Sequence, residues 1–92
     1  MYKNKAADGL NNICGARIRK LRKKMEGHPS QRAFADMLQR AGLDVDKNAI
    51  QRIECRQRFV TDIELKVIAK VLGVTCDELL TDSGPFLSRL RQ

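Results

Sequence analysis

Apolar residues along the chain recur at helical rather than strand spacing. Cys14, Ile18, Leu21 and Met25 stand at i, i+4, i+7 and i+11, one face of an α-helix, with cations on the other faces. Gly27, His28 and Pro29 end that segment. Ser30 then offers a hydroxyl for N-capping, Pro29 is placed to staple on Phe34, and Phe34, Ala35, Leu38 and Ala41 form the second stripe before Gly42, a left-handed stop. Asp46 caps a third segment that carries Ile50 and Ile53. Thr61 with Glu64 and Thr75 with Glu78 both spell the S/T-x-x-E capping box, in which side chain and backbone satisfy each other's orphan groups, so two more helices begin there. Leu65, Ile68, Ala69 and Leu72 are the stripe of the fourth, closed by Gly73; Leu79 and Leu80 belong to a brief fifth. The period-2 alternation of a sheet is missing, which predicts an all-α fold, a compact five-helix bundle.

Outside these segments the pattern changes. Residues 1–12 show no periodicity and are expected to be a flexible arm, made basic by Lys3 and Lys5. Residues 13–82 form the domain, and a short tail, residues 83–92, follows. In the tail, Gly84 and Pro85 break the chain, and Phe86, Leu87 and Leu90 could make one amphipathic turn that packs on the core or on a second subunit. At 92 residues, 42% hydrophobic and 32% charged, the chain has room for one packed domain and is too apolar to be disordered.

Charge sharpens this. The net charge is +7, and it is uneven: residues 1–58 hold fourteen Lys/Arg against six Asp/Glu, whereas residues 59–92 hold four against five. The densest run is Arg17, Arg19, Lys20, Arg22, Lys23 and Lys24, without an acid between them. Such asymmetry fits a polyanion, either nucleic acid or an anionic membrane, or a solubilising surface. No secretory pattern or run of eighteen apolar residues occurs, so a cytoplasmic protein without a membrane span is expected. Cys14, Cys55 and Cys76 lack C-x-x-C spacing and His28 is the single histidine, which supports neither a disulfide framework nor a metal site, and no cofactor is expected. With no nucleophile and base pattern and no phosphate-cradling glycine loop, an enzyme is not expected either.

The third segment, "DKNAIQRIECRQR", carries the candidate chemistry. At about 100° per residue from Lys47, the residues Lys47, Asn48, Gln51, Arg52, Cys55 and Arg56 cover roughly 0° to 180°, and Ile50, Ile53 and Glu54 roughly 240° to 340°. One half is an anchor. The other is cationic and amide-bearing, without an acid, and suits a DNA major groove, where Arg or Lys addresses guanine O6/N7 and Asn or Gln pairs with adenine N6/N7.

"GARIRKLRKK", "SQRAFADMLQRAGLDVDKNAIQRIE" and "TDIELKVIAKVLGVTCDELL" in that order resemble the Cro/repressor-type, lambda-repressor-like (Xre) helix-turn-helix family over about residues 13–81. The resemblance implies a bundle of about five helices whose third lies in the major groove of double-stranded operator DNA, usually as a homodimer, in a transcriptional regulator, most often a repressor. It makes Lys47, Asn48, Gln51 and Arg52 the base readers. Gln31 would hold phosphate and brace the recognition helix, while Arg56, Gln57 and Arg58, with Arg17 and Arg19, would meet the DNA backbone. A Glu at the place of Glu54 pairs with an arginine of the first helix in related domains, here Arg22; otherwise it reaches water.

The chain departs from the family in two places. Gln39 stands where glycine is usual and Gly42 comes three residues later, which predicts a longer second helix and a widened loop at Leu43–Asp46. Arg56 replaces another common glycine, so either Arg56 adopts a left-handed conformation or the helix runs on. An antitoxin-like or other protein-interaction module, docking a partner through the C-terminal residues, is the alternative function. Cys55, on the polar half, is the one cysteine where oxidation would touch DNA binding.

Overall fold

The computed structural model describes residues 5–81. Five helices follow in order: α1 (Gly15–Lys24), α2 (Gln31–Arg40), α3 (Lys47–Glu54), α4 (Asp62–Leu72) and α5 (Cys76–Leu80), with no strand among the described residues. Each cap foreseen in the sequence is made. Ser30 Oγ accepts from Ala33 N at 3.1 Å, Asp46 Oδ1 accepts from Ala49 N at 2.8 Å, and both capping boxes are complete. These local bonds satisfy helix N–H groups that have no partner inside the helix, and so fix where each helix starts.

α3 packs against both α1 and α2, α4 packs on α2, and α5 on α4. The core joins them: Cys14 and Ile18 from α1 and its entry, Phe34, Ala35 and Leu38 from α2, Ile50 and Ile53 from α3, Ile68 and Ala69 from α4, and Leu79 from α5. None of the described helices is long and apolar enough to cross a membrane.

The connection from α2 to α3 differs from the simple stripe. α2 ends at Arg40, so Ala41, expected in its apolar face, is exposed. Gly42 takes a positive φ of 97°, which reverses the chain. Leu43 and Val45 then point inward and are buried, and Gln39 Nε2 donates to Val45 O at 2.7 Å. The loop is thus pinned by two core side chains and one amide, and it delivers α3 in a set orientation.

Residues 5–12 of the expected arm lie as a strap along the domain. Asp8, Asn11 and Asn12 are bonded to the chain just beyond α3, over 44 to 48 residues of sequence. The remaining arm residues, Lys3 among them, and the tail with Phe86, Leu87 and Leu90 lie outside the described residues.

Candidate nucleic-acid interface

α3 has two unlike faces, as its 3.6-residue period dictates. Inward, Ile50 and Ile53 are buried against α1 and α2, with Glu54 beside them. Outward, Lys47, Asn48, Gln51 and Arg52 are all exposed. Among the described residues, none of these four side chains makes a hydrogen bond or ion pair within the chain. Their donors and acceptors therefore face solvent, in one row along about two turns. A shallow cleft of about 350 Å³ runs beside the start of that row, with Arg32 and Gln39 of α2 on one side and Lys47 and Asn48 on the other.

A buried ion pair sets the tilt of α3 against its neighbours. Arg22 Nε donates to Glu54 Oε2 at 2.7 Å and Arg22 Nη2 to Glu54 Oε1 at 2.9 Å. Arg22 Nη1 reaches Pro29 O at 2.9 Å, in the connection to α2, and Gln31 Nε2 donates to Glu54 Oε1 at 3.0 Å. The side chains are 8% and 1% exposed. Two charges this dry persist because all three guanidinium nitrogens and both carboxylate oxygens are hydrogen-bonded, and the planar fork of arginine matches the carboxylate bidentately. One carboxylate thereby ties together α1, the first turn of α2 and the last turn of α3. Gln31 braces α3 in this way, and its amide is committed to Glu54.

The end of α3 is held by the strap. Asn12 Nδ2 donates to Ile53 O at 3.1 Å and to Arg58 O at 2.7 Å, while its Oδ1 accepts from Gly15 N at 2.8 Å and so caps α1. Asn11 adds bonds from its backbone N to Arg56 O and from Nδ2 to Gln57 O. Carbonyls at a helix C-terminus lack intrahelical donors; Asn12 supplies one to Ile53 O in the last turn of α3, and the other bonds hold the chain just beyond it. Gly15 completes the fit, because its Cα lies where a Cβ would stand 2.0 Å from Ile53 O.

Arg56 resolves an alternative left open by the sequence. α3 stops at Glu54, and Arg56 takes φ 65°, a left-handed conformation that costs a non-glycine residue about 1 kcal/mol. Its guanidinium turns back on the strap, with Nε donating to Asn12 O at 2.7 Å and Nη1 pairing with Asp8 at 2.6 Å. The backbone N–H of Leu10 and then Arg56 hold the Asp8 carboxyl below its ordinary range. Arg58 is likewise engaged, bidentate to Glu64 at 3.0 and 2.7 Å. Two of the four arginines expected at DNA phosphates, Arg56 and Arg58, therefore have internal carboxylate partners, whereas Gln57 and Arg19 are exposed and Arg17 is half-buried.

The Arg58–Glu64 pair carries a pH prediction. The hydrogen bond from Arg58, followed by those from Thr61, holds the Glu64 pKa below its usual 4.5, and the Glu64 carboxylate in turn raises that of Arg58. A carboxyl lowered in the folded state contributes stability that is fully present above its unfolded value and lost as pH falls through the folded one. Glu64→Gln should therefore unfold more easily than wild type at neutral pH, with the difference shrinking as the pH drops below 4.5. Denaturant midpoints measured across that range check this, and a gap independent of pH would contradict it.

Of the cysteines, Cys55 is exposed at the end of α3, Cys76 is half-buried, and Cys14 is buried, which pushes its thiol pKa up. Among the described residues, no three His, Cys, Asp or Glu side chains cluster as they would around a metal ion. No protein-family model matches the chain, and no curated protein or solved structure matches it either.

Proposed function

We propose that this protein is a sequence-specific, double-stranded DNA-binding transcriptional regulator of the lambda-repressor-like helix-turn-helix type, with α2 and α3 as the motif and α3 in the major groove. The observation that carries the reading is the outer face of α3: four exposed cationic and amide side chains without internal partners, on a helix clamped from behind by Ile50, Ile53 and the Glu54 network. Side chains held ready on a rigid element can read base edges with little loss of order on binding. In this reading Lys47, Asn48, Gln51 and Arg52 contact bases. Arg17, Arg19 and Gln57 contact phosphates, and Arg56 and Arg58 serve the fold. A homodimer on a two-fold operator follows from the same resemblance, as does a repressor role; a cytoplasmic setting is the expectation from the sequence pattern.

Binding to a duplex should weaken steeply with salt as condensed counterions are released, the logarithm of affinity falling by about 0.9 per phosphate neutralised for each unit of log salt. Arg19→Ala should lower that slope by about 1 without altering sequence preference. Arg52→Ala should instead relax preference at one base position, by about 1–3 kcal/mol. Titration of labelled duplexes over a salt series reads both. Equal losses on every sequence for Arg52→Ala would place that residue at the backbone and count against base reading by α3.

A further inference from the structure

Away from α3, an apolar groove of about 280 Å³ opens between the strap and the last two helices, floored and walled by Ile13, Cys14, Val60, Leu65 and Leu80. Ile13 and Leu80 are each 39% exposed, a large share for aliphatic side chains at the rim of one groove. Asn11 lies on the same wall, and its Oδ1 is buried without a hydrogen-bond partner among the described residues.

We propose that the occupant of this groove is the chain's own C-terminal segment, residues 82–92, docked in cis through Phe86, Leu87 and Leu90. The described chain ends at Thr81, one residue past Leu80 on the groove rim, so the segment starts at the site it would fill. Six residue steps separate Leu80 from Phe86, a reach of up to roughly 20 Å, and Gly84-Pro85 allows the reversal that brings Phe86 back over the groove. Phe86, Leu87 and Leu90 stand at i, i+1 and i+4, a sequence spacing that a helical turn would gather on one side, away from Ser88, Arg89 and Arg91. The docking is independent of DNA recognition, and a protein partner seeking this groove competes with the chain's own end.

Nuclear Overhauser spectra of the full chain test it. Contacts from the Phe86 ring to the methyls of Ile13 or Leu65 are expected, and they should be missing from the isotope-filtered spectrum of a mixture of labelled and unlabelled protein. The variant Phe86→Ser/Leu90→Ser should shift the backbone resonances of Asn11, Ile13 and Leu80 while those of α3 stay in place, and Arg89→Ser/Arg91→Ser should shift none of them. No Phe86 contact to the groove, a contact from the Tyr2 ring in its stead, or contacts that survive isotope filtering and so arise from a second copy would each overturn the proposal.

Discussion

Replacing either Arg22 or Glu54 with alanine is expected to destabilise the fold by about 3–5 kcal/mol, because each change strands the opposite charge in a dry site. The pair is bidentate, its side chains are 8% and 1% exposed, and Gln31 spends its amide on the same carboxylate. Small domains are stable by only about 5–15 kcal/mol, so either variant would lose a large share of that margin. The double variant Arg22→Ala/Glu54→Ala leaves a gap but no unmatched charge, and should fall short of the sum of the single losses. Urea denaturation of the three variants decides this. Near wild-type midpoints for both single variants would mean that water reaches the pair and that it does not fix α3.

The second large effect is expected at Gly15. An added methyl would meet the backbone oxygen of Ile53 at 2.0 Å, with Asn12 Oδ1 at 2.9 Å and Arg56 Cγ at 3.0 Å around it. A long side chain could swing aside, but a carbonyl oxygen in the last turn of α3 moves only with its helix. Gly15→Ala should therefore cost about 3 kcal/mol, the upper part of the range for overpacking, even though alanine is the better helix former. It should also weaken DNA binding beyond what the stability loss explains, since the displaced element carries Arg52. Ala16→Gly, in the same turn but exposed, serves as the control for helix propensity. A Gly15→Ala protein as stable as wild type would show that α1 and α3 slide apart freely, contrary to the packing seen.

These two sites mark what could and could not be read from the sequence. Helix starts were legible because Ser30, Asp46, Thr61 and Thr75 act on backbone groups three residues away, within a window that a local pattern covers. The two faces of α3 were legible for the same reason, since a single period sorts them. The stripe of α2 was carried one position too far, to Ala41, because apolar spacing alone does not see that the helix ends at Arg40. Leu43 and Val45 were missed as core residues, although their alternation with Asp44 and Asp46 is the signature of an extended segment with one buried side.

The strap was out of reach for a different reason. Asn12 bonds Ile53 O and Arg58 O across 41 and 46 residues, and no periodicity links such positions. The one local signal was Asn12 three residues before Gly15, a capping spacing that belongs to α1. Arg56, on the polar half of the helical wheel, and Arg58, just beyond it, read as free cations because their partners, Asp8 and Glu64, come from other segments. Position on a wheel tells which way a side chain leaves its own helix; what it meets there is a tertiary fact.

The most direct measurement of the central claim is a selection of the full chain against random double-stranded DNA, followed by sequencing of the bound fraction. If the outer face of α3 reads base edges, one motif of a few base pairs should be enriched in wild type, and Lys47→Ala, Asn48→Ala and Arg52→Ala should each change it at a different position. Retention that depends on salt alone, with no sequence enriched, would contradict a base-reading α3 and leave its exposed row of cations and amides as a surface for some other partner.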